Sequence, residues 1–465
     1  MSWRERPRTP ALLSSVIIGG GPGGLGPLVW AAQHGRLPGW LDEGVAIVER
    51  SGRLGGSLGR YGINSDSLGG SYLECLASEV VPEALRQMRD EAVTGEMALY
   101  RDAYPPLTLV DRYMGRIGIA MTELLDEHPA STLHLHTEAR SVHLRSDGSV
   151  AVFVHTSEGR AGPLIAQSAV VAVGGHQPWR DQSLLGLRFA DCKTRLMPSN
   201  ELLSHAGLAE ANTIIGTAGD RQIVILGGSH SAYAVAWALL ELPAAAHLKA
   251  GQLVIAQRRP PRVFYPNQAE ADVDSYPVHP GDLCPRTGRV NRMGGLRGHG
   301  RDIWRRIMAR PGCEPETRIA IVDVAALDTD DLRMLMDEAA LVAPCLGYRS
   351  ATLPIIDQAG HRLALRADAN GDAVGDDCRL VLADGAVLPN VYGIGLGTGF
   401  RPSLTMGCEP NFSGQANSLW LYQNDIGGAI YRGIHEKKAE AAAARVHACP
   451  RPSPHEVWTP STPIP

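Results

Sequence analysis

The sequence predicts an α/β protein with two nucleotide-binding folds. Three observations carry this. Gly19, Gly21 and Gly24 follow an apolar strand and open a helical stretch. Gly227, Ser229 and Ala232 repeat that spacing inside "QIVILGGSHSAYAVAWALL", residues 222–240. Between them, over about 133–175, alternating apolar and polar residues with turns at Ser146-Asp147-Gly148 and Ser157-Glu158-Gly159 describe an antiparallel meander. The meander ends in a buried strand, "AVVAVGG".

At 465 residues, with 44% hydrophobic and 20% charged residues, the chain is long enough for two or three domains with substantial cores. A net charge of -5 offers no general attraction to nucleic acid or to an anionic membrane. The basic charge is almost all arginine, since Lys193, Lys249, Lys437 and Lys438 are the only lysines. Eight cysteines stand singly with no C-x-x-C, which argues against a disulfide scaffold, a zinc ribbon or a dithiol reductase. Reduced thiols and no metal are expected. The opening "MSWRERPRTPALLSSVIIGGG" has the basic and apolar parts of a signal peptide. Its apolar run, however, feeds the glycine turn, and no A-x-A-like cleavage site follows. No stretch approaches the ~18 uninterrupted apolar residues of a spanning helix. A cytoplasmic protein is the expectation.

Each glycine of the first turn has its own task. Gly19 makes the tight turn, Gly21 lets a pyrophosphate approach the backbone, and Gly24 lets helix and strand pack closely. The helix N-terminus adds free N–H groups and a positive dipole end. The next strand, "GVAIVER", ends in Glu49 and Arg50, where a carboxylate binds a ribose diol. In the second turn Ser229 takes room from the pyrophosphate but adds a hydroxyl. Its following strand, in "GQLVIAQRRPPRVFY", ends in Gln257, Arg258 and Arg259, without a carboxylate. Arginines there suit the 2′-phosphate of NADP. A vestigial second loop is the alternative, because its glycine pattern is incomplete.

Beyond Glu49, "ERSGRLGGSLGRYGINSDSLGGSYLE" places Gly55-Gly56 after the acidic residue and then turns polar. This resembles the flavoprotein pattern in which the chain passes beside the flavin ring. The resemblance implies FAD and makes Tyr61, Asn64, Ser65 and Asp66 candidates for the ring's surroundings. The complete order of elements resembles the flavin monooxygenases with two glutathione-reductase-type dinucleotide domains, and the NADPH-dependent N-hydroxylating branch most. That branch carries G-x-G-Q-S-A where this chain has Gly227-Gly228-Ser229-His230-Ser231-Ala232. "LVAPCLGYRSATLP" is similar to its A-T-G-Y-like segment, and "LPNVYGIGLGTGFRPS" to its last flavin strand and turn, around Gly395, Gly397 and Thr398. No F-x-G-x-x-x-H fingerprint is present, and Gly-Leu-Gly-Thr-Gly replaces the Asp that often ends that strand.

The resemblance implies an FAD domain at 12–180 and 346–440, an NADP domain at 181–345 with an irregular insertion at 264–312, and a C-terminal arm at 441–465. It implies that NADPH reduces the flavin and that O2 then forms a C4a-(hydro)peroxyflavin. That species would oxygenate a nitrogen, sulfur or carbon of a small organic molecule, with secondary metabolism as one setting. His176, in "AVGGHQPW", and His230 fall on the implied FAD–NADP seam as proton-exchanging candidates. Arg286, Arg289, Arg292, Arg297 and His299 of the insertion are candidates to meet an anionic substrate or the cofactor phosphates. Two rivals stay open: an FAD oxidase or dehydrogenase with a vestigial second loop, and a non-catalytic flavin-binding regulator. A homo-oligomer is equally open.

Overall fold

The computed structural model describes residues 12–160, 162–192, 194–370 and 372–448. The chain begins with β1 (Leu13–Ile18), α1 (Pro22–Gln33) and β2 (Val45–Val48). After several short helices come α2 (Leu107–Glu127), β3 (Thr132–His134), and the meander β4 (Thr137–Leu144), β5 (Val150–Thr156) and β6 (Leu164–Val171). A second unit holds β7 (Ile223–Leu226), α3 (His230–Leu240), β8 (Leu253–Gln257), α4 (Gly298–Ile307), β9 (Ile319–Asp323) and β10 (Leu341–Pro344). The chain then returns to the first unit with β11 (Val387–Gly393), α5 (Leu419–Gln423) and α6 (Asp425–Ala448).

The first sheet has a parallel part in the order β3-β2-β1-β6-β11. Strand β6 belongs to two layers. Its C-terminal half runs parallel to β1, with Val171 opposite Ile18, while its N-terminal half is antiparallel to β5, with Ala166 opposite Val150. The second sheet is wholly parallel, in the order β9-β8-β7-β10, the same winding as β3-β2-β1-β6. The protein is thus an α/β molecule of two Rossmann-like folds, one inserted in the other.

Burial explains the apolar runs. In β7, Ile223 and Ile225 pack with Ala232 and Val235 of α3, while Val224 and Leu226 face Leu332 and Met336 on the other side. A strand covered on both faces needs no polar alternation. In α2 the buried Val110, Tyr113, Ile117 and Leu124 recur at helical spacing and seal the first core.

The segment expected to be irregular, 264–312, is instead built around a polar anchor. Asp274 is only 1% exposed and accepts from the Tyr265 hydroxyl at 2.9 Å and from Arg305 Nε at 3.0 Å. On this anchor stand the helix Gln268–Val273 and α4, which packs against α3. Helix α6 runs through Ala448, past the expected start of the C-terminal arm at 441, whereas 449–465 lies outside the described residues, as does the basic leader 1–11. The seven cysteines described are all free. Among the described residues, no helix is long and apolar enough to cross a membrane.

Candidate functional site

The first glycine turn is fixed by close backbone packing. Gly19 has φ +104°, and a Cβ there would lie 2.3 Å from the Ala172 carbonyl oxygen. A Cβ on Gly24 would lie 1.8 Å from the carbonyl oxygen of Gly19. Gly21 differs, because its Cβ would meet no atom within 4 Å. Two glycines therefore let strand and helix touch, and the middle one leaves space at the helix N-terminus. Glu49 closes the rim: its Oε2 accepts from the Gly20 N–H and its Oε1 from the Ser51 N–H, each at 2.7 Å. Arg50 stands exposed beside it.

The second turn repeats this plan with different residues. Gly227 has φ +135°, and its Cβ would lie 2.5 Å from the Cys345 carbonyl oxygen, which is the task of Gly19 in the first turn. Ala232 is fully buried, and Ser229 caps α3 without a side-chain bond to it. Ile18 pairs with Val48 and Leu226 with Ala256, so Gln257 occupies the place of Glu49. Gln257 is engaged in the core, where it accepts from the Tyr233 hydroxyl at 3.1 Å. Arg258 and Arg259 follow it, exposed and without an ion pair among the described residues. A Cβ on Gly228 would lie 3.1 Å from the Arg259 carbonyl oxygen, so this arginine adjoins the loop.

Both turns open on one cavity of about 1180 Å³. Gly19, Gly21, Glu49 and Arg50 line it, together with Tyr61, Asn64, Ser65 and Asp66 of the next segment. His230 lines it from the second unit. The closing turn contributes Gly395 and Leu396. Gly397 and Thr398 stand behind that turn: Thr398 Oγ1 donates to the Gly395 carbonyl at 3.0 Å, and a Cβ on Gly397 would lie 2.6 Å from the Arg349 backbone. The closing turn meets the first loop directly, since a Cβ on Gly23 would be 3.3 Å from Gly395 Cα. Gly24, Gly227, Ser229, Ala232, Arg258 and Arg259 lie outside the lining, and so does His176. His176 is exposed on a two-stranded ribbon, paired through its backbone with Arg349.

The insertion supplies a wall of this cavity through Arg297, His299 and Gly300. His230 Nε2 accepts from the Arg297 backbone N–H at 3.3 Å. That bond requires a neutral imidazole with its proton on Nδ1. His299 stacks on Trp237 with centroids 3.6 Å apart and rings 6° from parallel. The other insertion arginines are engaged elsewhere or exposed. Arg286 pairs with Asp425 at 3.3 Å, Arg292 donates to the Met406 carbonyl at 3.2 Å, and Arg289 is exposed.

No family model matches the sequence. CMP-5'-(3-aminopropyl)phosphonate hydroxylase from Streptomyces rubellomurinus is 32% identical over 442 residues, which span 90% of this chain and 97% of that protein. The chain belongs to the family of this hydroxylase. The structure of the FAD-bound cadaverine monooxygenase of desferrioxamine biosynthesis from Erwinia amylovora matches with a TM-score of 0.56 at 13% identity, covering 98% of this chain and all of the other (100%). Ornithine hydroxylase from Pseudomonas aeruginosa matches at 0.44 with 14% identity, over 91% of this chain and 100% of its own. The hydroxylase-family chain thus has the two-dinucleotide-domain fold of the flavin monooxygenases.

In this hydroxylase-family protein, Trp237 is a cavity residue that motif reading passes over. The signal is its spacing: His230, Ala234 and Trp237 stand at i, i+4 and i+7 on α3, and all three line the cavity. Burial pulls the His230 pKa below its ordinary value, against the opposing charge of Asp66, and burial lowers His299 likewise. Below the ordinary histidine value of ~6.5 the unfolded chain therefore takes up protons that the folded protein refuses. Stability from these groups is full above that pH and falls as the pH drops toward the depressed folded values. A melting series between about pH 7.5 and about pH 5.5 should show this fall, shallower in His230→Gln, whose amide oxygen can still accept from Arg297. An equally steep fall in that variant would show that His230 does not carry it.

Proposed function

We propose that the protein is an FAD-dependent, NADPH-using monooxygenase that hydroxylates the nitrogen of a small organic amine with O2. The observation that carries this reading is one cavity lined by the first turn through Gly19 and Gly21 and by the second through His230 and Ser231. The residues fit the groups. The open space at Gly21 suits a pyrophosphate at the α1 N-terminus, and Glu49 suits a ribose diol. Segment 61–66 and the turn Gly395–Leu396 line the same cavity and would hold the flavin ring. Gly227, Ser229 and Ala232 shape the second cradle, with Arg258 and Arg259 toward the 2′-phosphate. When bound, the flavin supplies hydride acceptance and oxygen activation.

The chain's own residues bind, orient and exclude water. The stretch Arg297–Gly300 covers the seam between the two units, and His230 ties that cover to the second loop. His230 is in this reading a positioning residue that stays neutral, and His176 has no chemical role. An amine is chosen because the S. rubellomurinus relative is named for hydroxylating an aminopropyl phosphonate joined to CMP.

The test separates the rivals. NADPH without oxygen should bleach the flavin of the purified protein, and the organic substrate alone should not. With air and CMP-5'-(3-aminopropyl)phosphonate as the first probe, NADPH consumption should be matched by hydroxylated product and little hydrogen peroxide. Bleaching by the amine alone would establish an oxidase or dehydrogenase. Flavin that neither compound reduces would favour the non-catalytic regulator.

A further inference from the structure

Three arginines line the cavity: Arg50, Arg53 and Arg297. Arg53 is committed to Asp111, with contacts of 2.8 and 2.7 Å. Arg50 stands at the end of β2 next to Glu49, at the nucleotide rim. Arg297 comes from the insertion, away from that rim. It forms no ion pair among the described residues, and the one protein acceptor of its guanidinium there is the carbonyl of Arg292. Its charged head lies 4.4 Å from the centroid of the Phe264 ring. A guanidinium carries five N–H donors, so most of them are left for a ligand.

The direction of this side chain matters. The Arg297 backbone faces His230 and the second loop. Its head lies by the Phe264 ring and the Arg292 carbonyl, with Asp66 and Tyr104 of the first unit among the charges near it. Burial works against its positive charge there. The first unit adjoins this stretch: Asn64 Nδ2 donates to the Tyr104 carbonyl at 3.0 Å, and a Cβ on Gly298 would lie 3.1 Å from the Tyr104 ring. Asp66 also lines the cavity and has no ion pair among the described residues. Arg297 and Asp66 thus line one cavity without ion pairs among the described residues, as Arg50 and Glu49 do at its nucleotide rim.

We propose that Arg297 is the anion receptor of the substrate site, and that the cavity takes an amine whose carbon chain also bears a phosphonate, phosphate or carboxylate. The fork of a guanidinium matches such groups with two parallel hydrogen bonds, and a partly buried site strengthens them. Asp66 supplies the complementary charge for the amine end. The identification of the ligand as an amine rests on the hydroxylase reading above, whereas the receptor role rests on Arg297 itself.

The experiment uses the flavin-loaded full chain as wild type, Arg297→Gln and Arg297→Lys, with flavin content and melting temperature confirming the fold. Binding of 3-aminopropylphosphonate and of its CMP ester is compared by calorimetry with binding of 1-aminobutane. Wild type should prefer the anionic amines by about 10- to 100-fold, Arg297→Gln should lose that preference, and Arg297→Lys should keep part of it. No preference in wild type, or an unchanged preference in Arg297→Gln, would overturn the proposal. So would a raised KM for NADPH in Arg297→Gln with the amine preference intact, because the residue would then serve a dinucleotide phosphate. Wild type that binds 3-aminopropylphosphonate through Arg297 without hydroxylating it or its ester would remove the hydroxylase reading and leave the receptor standing.

Discussion

Replacing Gly24 by alanine should yield protein that purifies without bound flavin and melts at a clearly lower temperature. The new methyl group would sit 1.8 Å from the carbonyl oxygen of Gly19. Both are backbone-fixed positions, so no side-chain rotation relieves the overlap, and α1 must move off β1. Overpacking of this kind costs roughly 1–3 kcal/mol, and the upper end applies where the obstacle is backbone. The movement also carries the helix N-terminus away from the pyrophosphate. Gly21→Ala is the matched control. Its methyl meets no protein atom within 4 Å, so the flavin-free protein should melt as wild type does. FAD affinity should nevertheless fall by about 10- to 100-fold, because the methyl occupies the space the pyrophosphate needs. Flavin absorbance per protein and the melting temperatures of both forms check the pair. Full flavin occupancy in Gly24→Ala would mean that FAD does not depend on this turn.

Alanine at both Arg258 and Arg259 should raise the KM for NADPH by about 10- to 100-fold and barely change that for NADH, since only NADPH has a 2′-phosphate to lose. The two side chains are exposed and form no ion pair among the described residues, so their removal should leave folding intact. The place of the acidic residue is held by Gln257, which is bonded into the core, and the carboxylate opposite it, Asp323 on β9, accepts from the Ala325 N–H of its own following turn. Rates of anaerobic flavin reduction across both coenzymes measure the effect. An equal loss with NADH would assign the arginines to a part shared by the two coenzymes, and no loss with either would place the 2′-phosphate elsewhere.

The parts legible in the sequence are those where chemistry constrains neighbouring residues. Gly19, Gly21 and Gly24 must stand at fixed offsets for a strand, a turn and a helix to close on each other, and the meander announces itself by alternation. Both fold units could therefore be located from local pattern. The closing turn was also found, but its facing was not. Gly395 and Leu396 line the cavity, while Gly397 and Thr398 hold the turn from behind. The insertion was illegible for a physical reason. It is held by a buried carboxylate, Asp274, satisfied by Tyr265 and Arg305, and its buried apolar residues, such as Val290, Leu296 and Ile303, are scattered over short elements that leave no long hydrophobic period to read. The stack of His299 on Trp237 joins residues far apart in the chain, which spacing does not register. His176 shows the converse error of locality. Its motif lies near the seam, yet a two-residue strand pairing with Arg349 leaves the imidazole exposed and off the cavity wall.

The contact between Gly23 and Gly395 has a consequence for biosynthesis. A ribosome delivers β7 to β10 within the single stretch 223–344, so the four-stranded sheet has all its strands while the first sheet still lacks Val387–Gly393. Domains fold as units while synthesis proceeds, and pairings between distant parts of the chain come late. The nascent protein therefore carries a finished coenzyme fold next to a flavin fold with an open side, and that side closes only after Leu396 has emerged. Flavin capture is in this way a late event of synthesis, and a chain stalled or cut before this turn should stay colourless even though its first glycine loop is intact.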